Sequence, residues 1–161
     1  VTERFSKIGS GAKLELLNIS ATVSNVISYL RPRISDKVDV TVDVEEEILV
    51  MHNPALIEWV VENISKNAVD AMEGVGHLNV HIHRTNDWVY IDIKDTGKGI
   101  PAKQLKTIFE PGFSTKTRGW GLGLSLVKRI VKEYHKGTVA VLESQINVGT
   151  TFRISLPLNI L

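Results

Sequence analysis

The chain has 161 residues, enough for one domain with a full core, and its 43% hydrophobic and 23% charged residues are the balance of an ordinary globular protein. Lys and Arg number 19 against 18 Asp and Glu, so a net charge of +1 gives no general attraction to nucleic acid or anionic membrane. There is no cysteine, which excludes disulfides, thiolate metal sites and a cysteine nucleophile and fits a reducing compartment. No apolar run approaches the ~20 residues of a bilayer span, and no signal-peptide pattern opens the chain. Residues 2–9 read as the end of a longer helix stopped by Gly9 and Gly11. With Val1 in place of a starting Met, the sequence reads as a fragment.

Lys13–Leu17 is a short strand candidate, and Ser20 or its neighbour is expected to cap a helix through Val23, Ile27 and Leu30. Val38–Val44 alternates apolar and polar residues, the pattern of a strand with one buried face. Ile48–Met51 is expected to be its antiparallel neighbour, joined through the acidic turn Glu45-Glu46-Glu47. Asn53 as cap and Pro54 at the first helical position start a helix that runs to about Met72 and ends at Gly74. Leu78–His83 and Val89–Ile93 read as a hairpin around Asn86-Asp87. A helix over 122–135, stopped by Gly137, precedes two closing strands, Thr138–Glu143 and Thr151–Leu156. This order predicts one α+β domain, a two-layer sandwich whose mixed, mostly antiparallel sheet is covered on one face by three helices.

Two stretches carry candidate chemistry. Asp95-Thr96-Gly97-Lys98-Gly99 follows a strand, and Gly119-Trp120-Gly121-Leu122-Gly123 opens onto the helix that begins near Leu124. Glycine lets a backbone approach a ligand closely, and a helix N-terminus leaves N–H groups for an anion. In isolation the first is equally a tight turn and the second a flexible loop. Neither standard phosphate motif fits: a Rossmann fingerprint needs the glycines straight after a strand, and Leu124 stands where a P-loop needs Lys and Ser or Thr. On the 53–73 helix, ~100° per residue puts Ile57, Val60, Val61, Ile64, Ala68, Ala71 and Met72 on one face and Asn63, Asn67 and Asp70 on a second stripe. Asn67 lies at the border of the apolar face, and its carbonyl oxygen is a hard ligand suited to Mg²⁺. Taken alone, the stripe is equally a solvated helix face.

In conjunction these stretches resemble the catalytic and ATP-binding domain of sensor histidine kinases, within the Bergerat-fold superfamily that also includes gyrase and MutL. Glu62–Met72 is similar to the family's N box, Asp95–Ile100 to its G1 box, Phe109–Lys116 to its F box and Gly119–Leu124 to its G2 box. Gly149-Thr150-Thr151-Phe152 matches the closing strand. The resemblance implies residues 1–12 as the end of a dimerisation helix and 13–161 as the catalytic domain. It implies Asp95 as acceptor for the adenine amino group, with Gly97, Gly99 and Ile100 beside the base and Thr150 supporting Asp95. Asn67 would hold Mg²⁺ bridging the phosphates, with Asn63 beside it and Lys66 and Asp70 at the rim. A lid over 110–120, flanked by Phe109, would bring Thr115, Lys116 and Arg118 toward the γ-phosphate. Gly119, Gly121, Leu122, Gly123 and Leu124 would offer backbone N–H groups.

Two departures stand out. Trp120 occupies a position where a small residue is more usual, and no phospho-accepting histidine motif is present. His52, His77, His81, His83 and His135 are expected to be strand-face or surface residues. In the superfamily's hydrolases a glutamate four residues before the metal-binding Asn activates water. Here Asn63 holds that place, and Glu62, about 100° around the helix, should point away from the phosphates. The expectation is transfer of the γ-phosphoryl group of Mg·ATP to a histidine on a dimerisation domain, with Asn63, Asn67 and Lys116 as the catalytic set. A response regulator as further partner, a cytoplasmic setting, a monomeric fragment and a homodimeric parent complete the expectation. The alternatives are a gyrase- or MutL-like ATPase module, or an anti-sigma-type serine kinase or nucleotide-dependent binding module.

Overall fold

The computed structural model of the chain describes residues 13–44, 46–112 and 123–158. In order these form β1 (Glu15–Asn18), α1 (Ile19–Leu30), a 3-10 turn (Arg31–Arg33), β2 (Val38–Val44), β3 (Leu49–His52), α2 (Pro54–Met72), β4 (Gly76–Arg84) and β5 (Trp88–Asp95). A second 3-10 turn (Ala102–Gln104) follows, then α3 (Gly123–Arg129), which widens into a π-helical turn (Ile130–Tyr134), and finally β6 (Thr138–Gln145) and β7 (Gly149–Pro157).

The main sheet has the order β2-β4-β5-β7-β6, antiparallel except for β2, which runs parallel to β4. Alternation places Leu78, Val80 and Ile82 of β4, Val89, Ile91 and Ile93 of β5, and Phe152, Ile154 and Leu156 of β7 in the core. Against them lie Ile57, Val60, Val61, Ile64 and Ala68 of α2, with Val127, Ile130 and Val131 of α3. Ile19, Val23, Val26, Ile27 and Leu30 of α1 complete the same cluster. Each fully buried aliphatic side chain contributes about 1.5–3 kcal/mol relative to exposure. The α+β sandwich read from the sequence is the observed one.

One strand pairing differs from the expectation. β3 does not pair with β2; it pairs antiparallel with β1 in a separate two-stranded sheet, Glu15 opposite His52 and Asn18 opposite Leu49. The cause lies in the caps. Asn18, and not Ser20, caps α1: its Oδ1 accepts from Ser20 N at 3.1 Å and also from Ile48 N at 3.2 Å. Ile19 N donates to Ile48 O at 2.9 Å, and Ser20 Oγ to Glu46 O at 3.3 Å. Residues 46–48 are thereby held at the α1 N-terminus, away from β2. The chain then crosses through α2 to set β4 parallel to β2, Val38 opposite Gly76.

The start of α2 is as the sequence implied, with Asn53 Oδ1 accepting from Leu56 N at 3.1 Å and Pro54 in the first turn. It ends in the left-handed residue Glu73, φ 55°, followed by Gly74. The helix expected over 122–135 is found from Gly123, but its last turn is widened. His135 Nδ1 donates to Ile130 O, five residues back, at 2.9 Å.

Candidate functional site

Asp95 ends β5 and is buried, the residue 3% exposed. Gly97 N donates to its Oδ1 at 2.8 Å, and Thr150 N, directly across on β7, donates to the same oxygen at 3.3 Å. Burial raises the pKa of this carboxyl above its ordinary value, while the Gly97 and Thr150 N–H groups pull in the opposite direction. The sequence reading gave Thr150 the task of supporting Asp95; the group that touches the carboxylate is its backbone N–H. The Thr150 hydroxyl instead lies 2.8 Å from Ser144 Oγ, which also accepts from Ile100 N at 2.8 Å. Ser144 thus ties the end of the glycine loop to the closing hairpin. No sequence motif marks it, because its partners are brought to β6 only by cross-strand pairing.

The glycines of this loop face the protein's own backbone. A Cβ on Gly97 would come within 2.7 Å of the Ala71 carbonyl at the end of α2. At Gly99, φ is +78° and a Cβ would lie 2.4 Å from Gln145 O. Lys98 N donates to Ala71 O at 3.0 Å and Asn147 N to Lys98 O at 2.8 Å. The loop is clamped between the C-terminal end of α2 and the β6–β7 turn, which only glycine at these two positions permits.

Along α2, Asn63 and Asn67 are half-buried, and Lys66 and Asp70 are exposed. The Asn63 amide donates to Trp59 O at 2.9 Å, and its Oδ1 would stand 3.4 Å from a Cβ on Gly123. The first residue of α3 is therefore set directly against the asparagine stripe. Glu62 is buried, 7% exposed, with Oε1 3.9 Å from Lys66 Nζ on the next turn. Of the stripe opposite, the residues read as sheet-facing are buried except Ala71, which is half-buried beside Gly97.

Ile100, Phe109 and Leu124 pack in part against the core, and the Phe109 ring meets Phe152 edge-on at 6.2 Å. Thr115, Lys116, Arg118, Gly119, Gly121 and Leu122, with Trp120, lie outside the described residues. A concavity of about 250 Å³ opens on the other flank of α2, between Leu30, Arg33 and Ile34 and the side chains of Ser65, Lys66, Val69 and Asp70. It shares Lys66 and Asp70 with the stripe but does not include Asp95.

Two histidines depart from the strand-face or surface placement expected of them. His52 and His135 are fully buried. Thr22 Oγ1 lies 2.8 Å from His52 Nε2, whose ring donates through Nδ1 to Val50 O at 2.9 Å. His135 Nε2 accepts from Asn53 N at 3.1 Å. Burial lowers the pKa of both rings, and for His135 the nearby His52 lowers it further. They serve as neutral joints between α1, β3, α2 and α3.

The Asp95 loop, the asparagine stripe and the start of α3 converge at one end of the sandwich. Residues 52–160 match the model of the histidine kinase-, DNA gyrase B- and HSP90-like ATPases. The chain is 41% identical over 111 residues to the sensor histidine kinase ZraS of Escherichia coli K12, covering 69% of this chain and 23% of that protein. It is 36% identical over 146 residues to sporulation kinase E of Bacillus subtilis 168, covering 89% of this chain and 18% of that one. The chain thus spans less than a quarter of the length of these relatives. Among solved structures, the nucleotide-free catalytic domain of histidine kinase ThkA superposes with a TM-score of 0.83 at 26% identity, over 91% of this chain and 96% of that one. No helix among the described residues is long and apolar enough to cross a membrane. With a family model matched along two-thirds of its length and the same fold as a kinase catalytic domain, the chain belongs to the histidine kinase-, DNA gyrase B- and HSP90-like ATPase family.

Proposed function

We propose that this chain is the ATP-binding, phosphoryl-donating domain of a sensor histidine kinase. The observation that carries the reading is the Asp95 carboxylate: buried at a strand end, with both of its hydrogen bonds from described residues on Oδ1. Oδ2 is then the oxygen to accept the adenine amino group, with Gly97, Gly99 and Ile100 walling the base. A hydrogen-bond donor from the ligand would relieve a carboxylate that burial disfavours in its charged form.

The phosphates would lie along the asparagine stripe, at the start of α3. The half-buried Asn67 fits Mg²⁺, because a single hard carbonyl oxygen leaves the other positions to water and phosphate, as this ion prefers. Mg²⁺ would there neutralise phosphate charge. Asn63, Lys66 and Asp70 would orient the chain of phosphates from the helix side, and Gly123 and Leu124 would offer backbone N–H groups. Lys116, with Thr115, Arg118, Gly119, Gly121 and Leu122, completes the set as the sequence reading has it.

Asn63 disfavours the hydrolase reading. It stands four residues before Asn67, where its neutral carboxamide, unlike a carboxylate, is too weakly basic to take a proton from water; its amide N–H donates to Trp59 O. Phosphoryl transfer then rests on positioning and charge neutralisation, with the attacking nucleophile supplied from outside. That nucleophile is a histidine on the dimerisation domain of the same protein, and a response regulator receives the group in turn. The setting is cytoplasmic, and the parent a homodimer.

Calorimetric titration of Mg·ATP tests the binding step, with Asp95→Asn beside it. Saturable binding that weakens at least tenfold in the variant is expected. Equal binding by both would remove Asp95 from the base site. The transfer step is tested by adding a dimerisation-helix fragment and following acid-labile phosphohistidine. Steady ATP turnover by the domain alone would instead favour the gyrase- or MutL-like reading.

A further inference from the structure

The helices cover one face of the main sheet, and the other face presents alternate residues of β4: His77, Asn79, His81 and His83, all half-buried. We propose that His81, His83 and Asp92 on this outer face form a binding site for a borderline-soft divalent transition metal ion, of which Zn²⁺ is the natural probe. It is separate from the Mg²⁺ expected with nucleotide.

Period-two geometry sets His81 and His83 side by side on one face of β4, their rings stacked at 4.4 Å. Asp92 is the cross-strand partner of His81 on β5. One ligand atom from each of the three residues lies within 4.8 Å of the others. Around a tetrahedral ion with bonds of ~2.1 Å, ligand atoms stand about 3.4 Å apart. The His83 Nε2 to Asp92 Oδ2 distance is 2.8 Å, so that pair opens slightly and the wider pairs close. Such shifts are within reach of side-chain rotation on an accessible face: the His83 and Asp92 side chains are 23% and 12% exposed.

Arg153 is the feature to weigh. It grips Asp92 from β7 through Nε to Oδ1 at 2.7 Å and through its terminal nitrogen to Oδ2 at 2.8 Å, and its guanidinium lies 4.4 Å over the Tyr90 ring. Its charge lowers affinity for a cation. The same grip fixes the carboxylate, as hydrogen bonds to ligating carboxylates do in metal sites, and leaves the Oδ2 position now facing His83 for an ion. Asp43, opposite His81 on β2, places a second carboxylate on this face and offsets part of the guanidinium charge. Among the described residues, Lys94, Asp39 and Glu143 also lie on this face by register, each at least one residue pair removed along the ladder.

The donor set selects the metal. Two imidazoles and one carboxylate suit Zn²⁺, Co²⁺, Ni²⁺ or Cu²⁺, whereas Mg²⁺ prefers an all-oxygen octahedron. Three protein ligands leave the fourth tetrahedral position to water or to a donor from another molecule.

The test is Zn²⁺ titration of the tag-free chain in saturating Mg²⁺, with visible absorption of the Co²⁺ form as the second readout. The expected result is one Zn²⁺ per chain, tetrahedral Co²⁺ bands, and at least a tenfold loss of affinity in both His81→Ala and His83→Ala. His77→Ala, on the same strand and already 3.3 Å from Asp39, serves as the control and keeps full affinity. Circular dichroism of each variant confirms that it is folded, and because both alanine changes leave the two Asp92–Arg153 hydrogen bonds in place, His83→Ala removing only its own bond to Asp92, the sheet is expected to persist. No stoichiometric Zn²⁺ binding would overturn the proposal, leaving His83, Asp92 and Arg153 as a hydrogen-bonded network that ties three strands. Binding that survives either His81→Ala or His83→Ala, or that Mg²⁺ displaces, would overturn it equally.

Discussion

The two ends of the proposed nucleotide cleft are built differently. Around Asp95 nearly every polar group is held by backbone: Gly97 N and Thr150 N on the carboxylate, Ala71 O and Asn147 N on Lys98, Ser144 on Ile100. Along α2, Asn67, Lys66 and Asp70 stand half-buried or exposed on one helix, with Gly123 approaching from α3. The first end is pre-organised before any ligand arrives. The second consists of half-buried and exposed side chains of one helix, so in the proposed reading its geometry would depend on what the phosphates and metal bring. In the proposed reading, recognition of the base and handling of the phosphates would fall to parts of different rigidity.

Substitutions at the two ends would break or sharpen that contrast. The largest effect is expected at Gly99→Ala, where positive φ and a Cβ 2.4 Å from Gln145 O combine; a loss of about 2–4 kcal/mol should appear in urea unfolding. An unchanged midpoint would show that the clamp yields and that the Asp95 end is not rigid. Next comes Asn67→Ala, expected to weaken Mg·ATP roughly tenfold, about 1.4 kcal/mol, while sparing metal-free ATP. Equal losses with and without Mg²⁺ would make Asn67 a packing residue.

Asp95→Asn should act in opposite directions on two observables. Nucleotide affinity falls, but the ligand-free domain gains roughly 1 kcal/mol at neutral pH, because a buried, half-satisfied charge is removed. The sign with pH follows from the raised folded-state pKa. Asp95 contributes most to stability below the ordinary carboxylate range, and that contribution is lost as pH rises through its folded value. The advantage of the Asn variant in Tm should therefore shrink as the solution is acidified. A constant offset would mean that burial is not what perturbs the group.

The smallest effect concerns His52 and His135, which lie away from both ends. Their lowered folded-state pKa values mean that stability is full above about pH 6.5 and falls as acid protonates the unfolded chain first. Thermal scans between pH 7.5 and 5.5 should show this slope, and His135→Gln should flatten it. An identical slope in the variant would place the titration elsewhere.

Much of the fold was legible in sequence because its signals are local. The alternation of Val38–Val44, the Asn53-Pro54 start of α2 and the 78–93 hairpin each need only near neighbours, and all three are present. The partner of β2 was not legible. Alternation specifies which face of a strand is buried but not which strand lies beside it, and the Asn18 side chain that diverts residues 46–48 acts across 30 residues. The two buried histidines were misplaced for the same reason: their acceptors and donors come from distant elements. In the site, Asp95, Gly97 and Thr150 were legible as motif residues and do meet. The contacts that explain the glycines, Ala71 and Gln145, and the Ser144 bridge could be seen only in three dimensions.

The Asp95–Thr150 bond also has a bearing on how the chain would acquire the proposed nucleotide site. The two residues are 55 positions apart, and they meet only when β7 docks on β5. The β4–β5 and β6–β7 hairpins need only short loops to close, whereas the β5–β7 pairing must close a long one. During synthesis, then, the carboxylate proposed to bind the base emerges 55 residues ahead of its second backbone donor, and stays without it until nearly all of the described sheet has left the ribosome. Nucleotide binding would be a late acquisition of the nascent chain, and a sensitive report that folding has reached completion.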